Sequence, residues 1–178
     1  MYGESQGTIP TDELSIENVD GLYSYAMVLT RNRSEAEDLV QETYVRAIPA
    51  MGRLRPDSNI KGWLFEILRN VWFNQLRQRR ARPVMVYADL ERDPVDNLVD
   101  PGKDSYEAYA SKVERVRVRA AIQKLPRVFR EIILLREFEE LSYQEIADIL
   151  HCPAGTVMSR LARARSQLRE LLLPASNC

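Results

Sequence analysis

Leu141-Ser142-Tyr143-Gln144-Glu145-Ile146-Ala147, followed after a short interval by Pro153-Ala154-Gly155-Thr156-Val157-Met158-Ser159-Arg160-Leu161, is the stretch that decides the fold. Ser142 with Glu145 three residues on is a capping box, in which each side chain satisfies the other's backbone N–H at a helix start. The helix it opens turns Ile146, Ala147, Ile149 and Leu150 to one side. His151-Cys152 leave room for a tight turn, and Pro153 presets the first turn of a second helix. The apolar stripe of that helix, Val157, Leu161, Ala164 and Leu168, advances in steps of 4, 3 and 4. Two short helices with a tight turn and a basic second member predict a helix-turn-helix. Between His151 and Arg169 there are four arginines and no acid, and Thr156, Ser159, Arg160 and Arg163 face away from the stripe, toward a DNA major groove. An ordinary surface helix with scattered arginines is the plainer reading. Capping, turn and one-sided charge together weigh against it.

Working toward the N-terminus, Leu125-Pro126 divide two further helical patterns. One runs from about 106 to 125; the other carries Val128, Ile132, Leu135 and Phe138 on its apolar face. Residues 83–105 lose helical periodicity and hold Pro83, Pro94 and Pro101 among many aspartates, the composition of a linker. Before it, a long helix is predicted over about 60–80, with Trp63, Leu64, Ile67, Leu68, Val71 and Leu76 on its core side. Glu66, Asn70, Asn74 and Arg77 line the opposite side at steps of 4, 4 and 3. Asparagine forms helices poorly, so two in register point to a task for their amides. Amides hydrogen-bond base edges, and Arg77, Arg79, Arg80 and Arg82 beyond them can neutralise phosphates. Trp63 reads as core; Trp72 and Phe73 fit either core or base stacking. Further upstream, Leu22, Tyr25, Ala26 and Leu29 form one stripe, Arg31-Asn32-Arg33 break it, and Ser34 with Glu37 has the spacing of another capping box. Ala36, Leu39, Val40, Tyr44 and Ala47 are apolar in the helix that follows, which ends near Pro49. The predicted fold class is all-α, with two small helical domains joined by a flexible linker: a mobile tail at 1–18, domains at 19–82 and 106–174, and the linker at 83–105.

The net charge of −1 over 178 residues conceals a pattern. Residues 1–58 carry 5 basic and 10 acidic side chains, 59–82 carry 6 and 1, 83–112 carry 3 and 7, and 113–178 carry 11 and 8. Two basic blocks between acidic ones suit contact with a polyanion at two places, although on charge alone solvated helix faces are the favoured reading. Two cysteines, Cys152 and Cys178, and a single His151 exclude a disulfide framework and fall short of a zinc site, so neither metal nor cofactor is expected. The acidic N-terminus is no signal peptide, and the aliphatic runs are too short to span a membrane, so a cytoplasmic location with reduced thiols is expected. No nucleophile–base pair or phosphate-cradling glycine loop is present, which predicts a binding protein and not an enzyme.

The stretch 141–161 resembles the fourth conserved region of the extracytoplasmic-function (ECF) sigma factors of bacterial RNA polymerase, where the second helix reads the −35 promoter element. The resemblance makes Thr156, Ser159, Arg160 and Arg163 the −35 contacts, although an arginine at 160 also fits a bracing role. Met158 stands where the family often has a basic residue. Ala36-Glu37-Asp38-Leu39-Val40-Gln41-Glu42-Thr43 resembles the part of the family's second region that grips the coiled-coil clamp of the polymerase's largest subunit, implying Asp38, Leu39, Gln41 and Glu42 as core-polymerase contacts. The loop before the long helix and its amide face are implied to capture the −10 element as it melts, through Asn59, Lys61, Asn70, Asn74, Arg77 and Arg80. The resemblance implies as partners core polymerase through clamp and flap, promoter DNA, and an anti-sigma factor. The rival readings are a helix-turn-helix repressor or activator that acts without polymerase and leaves 34–82 unexplained, and a sigma mimic that sequesters a regulator.

Overall fold

A computed structural model of the chain describes residues 17–55, 57–81 and 106–173; the linker reading at 83–105 and most of the predicted tail fall outside the described residues. Among these residues there are seven α-helices and no strand: α1 Glu17–Thr30, α2 Arg33–Ala50, α3 Ile60–Ala81, α4 Tyr106–Lys124, α5 Arg127–Ile133, α6 Tyr143–Leu150 and α7 Ala154–Leu172. The all-α class is as the periodicity predicts.

The helix starts follow from local hydrogen bonding. Arg31 closes α1 in a left-handed conformation (φ 55°) with its N–H on the Met27 carbonyl. That leaves Asn32 extended, and its side-chain oxygen accepts the Glu35 N–H at 3.1 Å. Asn32 is therefore the cap of α2, and Ser34, the expected cap, lies in the first turn. The capping box at Ser142 and Glu145 forms as expected, with both reciprocal bonds present. His151 ends α6 in the left-handed region (φ 50°), and the Cys152 N–H reaches back to the Ala147 carbonyl. Pro153 then stands as the N-cap of α7.

After α5 the backbone widens into a π turn over Leu134–Phe138, the Glu139 N–H bonding to the Leu134 carbonyl. The extra residue rotates the register. Phe138, expected on the apolar face, is exposed as a result, and Val128 at the start of α5 is exposed too.

Leu22, Tyr25, Ala26 and Leu29 of α1 pack with Leu39 and Val40 of α2 and with Leu64, Phe65, Leu68 and Val71 of α3. Phe65 and Trp72 are buried, whereas Trp63, Ile67 and Leu76 are half-buried, so the buried stripe of α3 lies about one residue round from the expected one. In the second bundle Ile132, Leu135, Ile146, Ile149, Val157 and Leu161 enclose the core. Arg130, buried there, donates to the Gln123 side chain and the Leu125 carbonyl and ties α5 to the end of α4. The two bundles are not apart. α1 lies against α5 and α3 against α6, and their buried residues form one continuous cluster.

Candidate nucleic-acid and polymerase interfaces

α7 is held by Val157, Leu161 and Ala164, all buried, while Met158, Ser159 and Arg163 are exposed on its outer side. Arg165 grips Glu137 at 2.6 Å, fixing α7 to the π turn. Of the four candidate −35 contacts, Ser159 and Arg163 stand free of the core, with the Ser159 hydroxyl donating to the Thr156 carbonyl. Thr156 is half-buried at the helix start. Arg160 is half-buried as well, and its charge adds the smallest of the pulls that favour the ionised form of the buried Glu131 carboxyl. Gly155 has open space where a side chain would stand, so a neighbouring backbone can approach there.

On α2, Asp38 and Gln41 are exposed, and Glu42, half-buried, pairs with Arg46 at 2.7 Å. Leu39 is a correction: only 1% exposed, it is an inward anchor of α2 and offers nothing to a partner. Val45 (65% exposed) and Ile48 (59%) continue the Asp38–Gln41–Glu42 side by helical spacing. Apolar residues off the buried stripe are the sequence signal for them.

The amide face of α3 is in use within the molecule. Asn59 caps α3, its oxygen accepting the Gly62 N–H at 3.1 Å, and its amide N–H donates to the Glu145 carboxylate of α6. Lys61 bonds both the Glu139 carboxylate and the Glu139 carbonyl at 2.9 Å. Asn70 meets His151 at 3.0 Å. Asn74 accepts from Arg77, and Arg77 and Arg80 are exposed beyond the second bundle. Phe73 is half-buried, with the Arg69 guanidinium 4.5 Å and the Arg127 guanidinium 5.8 Å from its ring centre; Trp72 is core. Deeper in the junction the Tyr25 hydroxyl donates to Glu131 at 3.4 Å, and both side chains are buried. Burial pushes the Glu131 carboxyl above the usual carboxylate range against the pull of Arg69 and Arg127. At Glu145 burial also pushes upward, but hydrogen bonds from Ser142 and Asn59 leave the carboxyl below its ordinary value. Tyr25, Glu131, Glu139 and His151 carry no periodicity signal for this junction, because pairing between distant helices leaves no mark on local spacing.

Among the described residues no group of histidine, cysteine and carboxylate side chains could hold a metal ion, and no helix is long and apolar enough to cross a membrane.

Comparison with known proteins accounts for both halves. Residues 16–82 match the family described as Sigma-70 region 2, and residues 115–168 match Sigma-70, region 4. The chain is 36% identical over 154 residues to the ECF RNA polymerase sigma factor EcfG of Rhodopseudomonas palustris, covering 86% of this chain and 80% of that protein. It is 36% identical over 155 residues to the ECF RNA polymerase sigma-E factor of Haemophilus influenzae, covering 84% and 82%. Among solved structures it resembles the sigma factor RpoE in complex with the anti-sigma factor NepR from Bartonella quintana, with TM-score 0.67, 29% identity, and 91% and 96% of the two chains covered. It also resembles CnrH in complex with the cytosolic domain of CnrY, with TM-score 0.56, 27% identity, and 90% and 85% covered. A basic, well-braced helix-turn-helix at one end, an acid- and amide-bearing three-helix bundle at the other, and matches to the two sigma regions in the same order make this chain a member of the extracytoplasmic-function sigma factors, the subunits that direct RNA polymerase to promoters.

Proposed function

We propose a division of labour among three surfaces of this sigma factor. The outer side of α7, through Ser159 and Arg163 with Thr156 at its edge, reads the −35 duplex. The amide side of α3, through Asn70, Asn74, Arg77 and Arg80 with Asn59 and Lys61 at its start, takes the −10 strand and favours its melting. The outer side of α2, through Asp38, Gln41 and Glu42 with Val45 and Ile48, seats the clamp of core polymerase. The chemistry of RNA synthesis belongs to the polymerase, and the chain acts where the DNA is, in the cytoplasm. The observation that carries the reading is the outward, acid-free Ser159–Arg163 face of a helix whose opposite side is locked by Val157, Leu161 and Ala164. A polymerase-independent repressor would leave α2 and α3 without a task. An anti-sigma factor as a further partner is supported by the RpoE structure, solved with one bound.

Reconstitution with sigma-free core polymerase on genomic fragments tests the assignment, with discrete transcript starts expected. Tight operator binding by the protein alone, without specific initiation, is the result that reverses it. Asn74→Ala is expected to slow initiation on closed duplex more than on pre-melted bubble templates; equal loss on both removes the melting role.

A further inference from the structure

Met158 is a large apolar side chain on the basic, outward side of α7. It is 50% exposed and takes no part in the core cluster. Among the described residues, the other large hydrophobics exposed on α7 and its cap are Leu171 and Leu173, at the far end, where the Arg117 guanidinium donates to the Leu172 carbonyl. Met158 stands instead in the second turn, near the helix start that a helix-turn-helix directs at base edges. Single exposed apolar residues are ordinary on protein surfaces, so the surroundings decide.

Gly155, Ser159, Ala162 and Ser166 follow one another at steps of 4, 3 and 4, and all four are exposed. They make a strip in which no side chain is larger than serine, bordered by Met158 on one side and Arg163 on the other. Helical side chains tilt toward the helix start, which carries Met158 over Ala154 and Gly155, and at Gly155 the space is open. The Ser159 hydroxyl donates to the Thr156 carbonyl. From Pro153 to Arg169 there is no carboxylate, so nothing on this stretch of α7 repels a polyanion lying along the strip. Duplex DNA can therefore approach closely, with a guanidinium on one flank and a thioether on the other.

The two flanks suit different base edges. In the major groove the C5 methyl of thymine is the apolar group, and the remaining base-edge features are donors and acceptors. A thioether donates nothing and accepts weakly, and covering a donor or acceptor without bonding it is unfavourable. Against a methyl group it fits well, being long, unbranched and polarisable. We propose that Met158 is a specificity-determining residue, which reads one T·A pair of the −35 element through its thymine methyl. The inference rests on the assignment of the outer side of α7 to the −35 duplex, and adds to it a base preference carried by apolar contact alone. Its size is that of one methyl group removed from water, about fourfold in affinity.

Uracil differs from thymine by that methyl and keeps the hydrogen-bonding edge, so it isolates the contact. Holoenzyme reconstituted with the full chain is titrated against promoter duplexes from the mapped start sites, at a temperature that holds them closed. Each thymine of the −35 element, on either strand, is replaced in turn by deoxyuridine. The unaltered chain is expected to lose about fourfold in affinity at one position. Met158→Ala is expected to bind thymine and uracil there alike, with the melting temperature of the unaltered chain, because the side chain lies outside the core. A −35 element in which no uracil substitution weakens binding overturns the inference. A Met158→Ala chain that keeps the full difference overturns it too. Arg163→Ala on the thymine-containing duplex tells this failure from that of the underlying assignment. If it weakens binding while the uracil series is flat, α7 still reads the −35 duplex and the methyl contact alone falls; if it has no effect either, both fall.

Discussion

Arg160 and Arg163 differ by three positions and by environment. Arg163 is exposed, whereas Arg160 is half-buried and acts on the buried Glu131. If Arg163 makes a bidentate contact to a base, Arg163→Ala should cost about 1–3 kcal/mol of −35 duplex affinity and leave the melting temperature unchanged. Arg160→Ala should lower the melting temperature as well, because it removes a positive charge that favours the ionised form of a buried carboxylate. Duplex titration and thermal unfolding on the same two variants separate the roles, and a fall in melting temperature for Arg163→Ala alone contradicts them. Residue types and the helix face are legible from spacing here. Depth is not: helical spacing assigns a direction around the axis, but how far the neighbouring helix overhangs Arg160 depends on α5, some thirty residues away. For Leu39 the spacing and the resemblance disagree: the spacing puts it on the apolar side of α2, the resemblance among partner contacts, and its burial sides with the spacing.

At the scale of the element, the helix boundaries show how competing local signals resolve. Ser34 with Glu37 and Asn32 with Glu35 both offer a cap to α2, and the left-handed Arg31 decides for Asn32 by leaving it extended. Asn32→Ala is therefore expected to destabilise the chain by about 0.5–2 kcal/mol, and Ser34→Ala by much less. Urea titrations of the two variants check this, and a larger loss at Ser34 would return the cap to it. At Ser142 no rival exists, and the capping box was fully legible. The π turn was not, because one inserted residue leaves composition unchanged while rotating Phe138 from the core side into solvent.

For the whole molecule, two bundles were legible from periodicity and their mutual packing was not. Each amphipathic stripe announces that a helix has a buried side, but the polar contacts of Asn59, Lys61 and Asn70 join helices far apart in the chain, and such pairing leaves no mark on local spacing. The buried Glu131 gives this junction a pH dependence whose sign can be worked out. Its carboxyl is pushed up in the folded chain by burial, with Arg69, Arg127 and the Tyr25 hydroxyl pulling the other way. The folded state thus holds this proton more tightly than the unfolded chain does. The stabilisation linked to that proton is fully present below the ordinary carboxylate range and is lost as pH rises through the raised value. Glutamine at 131 keeps an oxygen to accept from Tyr25 and carries no charge to desolvate, so Glu131→Gln removes this titration. The variant should be the more stable chain at pH 8, with its advantage shrinking as wild type protonates toward pH 5. A difference in melting temperature that stays constant across that range would mean that the arginines, and not burial, govern the carboxyl. The junction would then be held by buried ion pairs, and raising the salt concentration would weaken it only slightly.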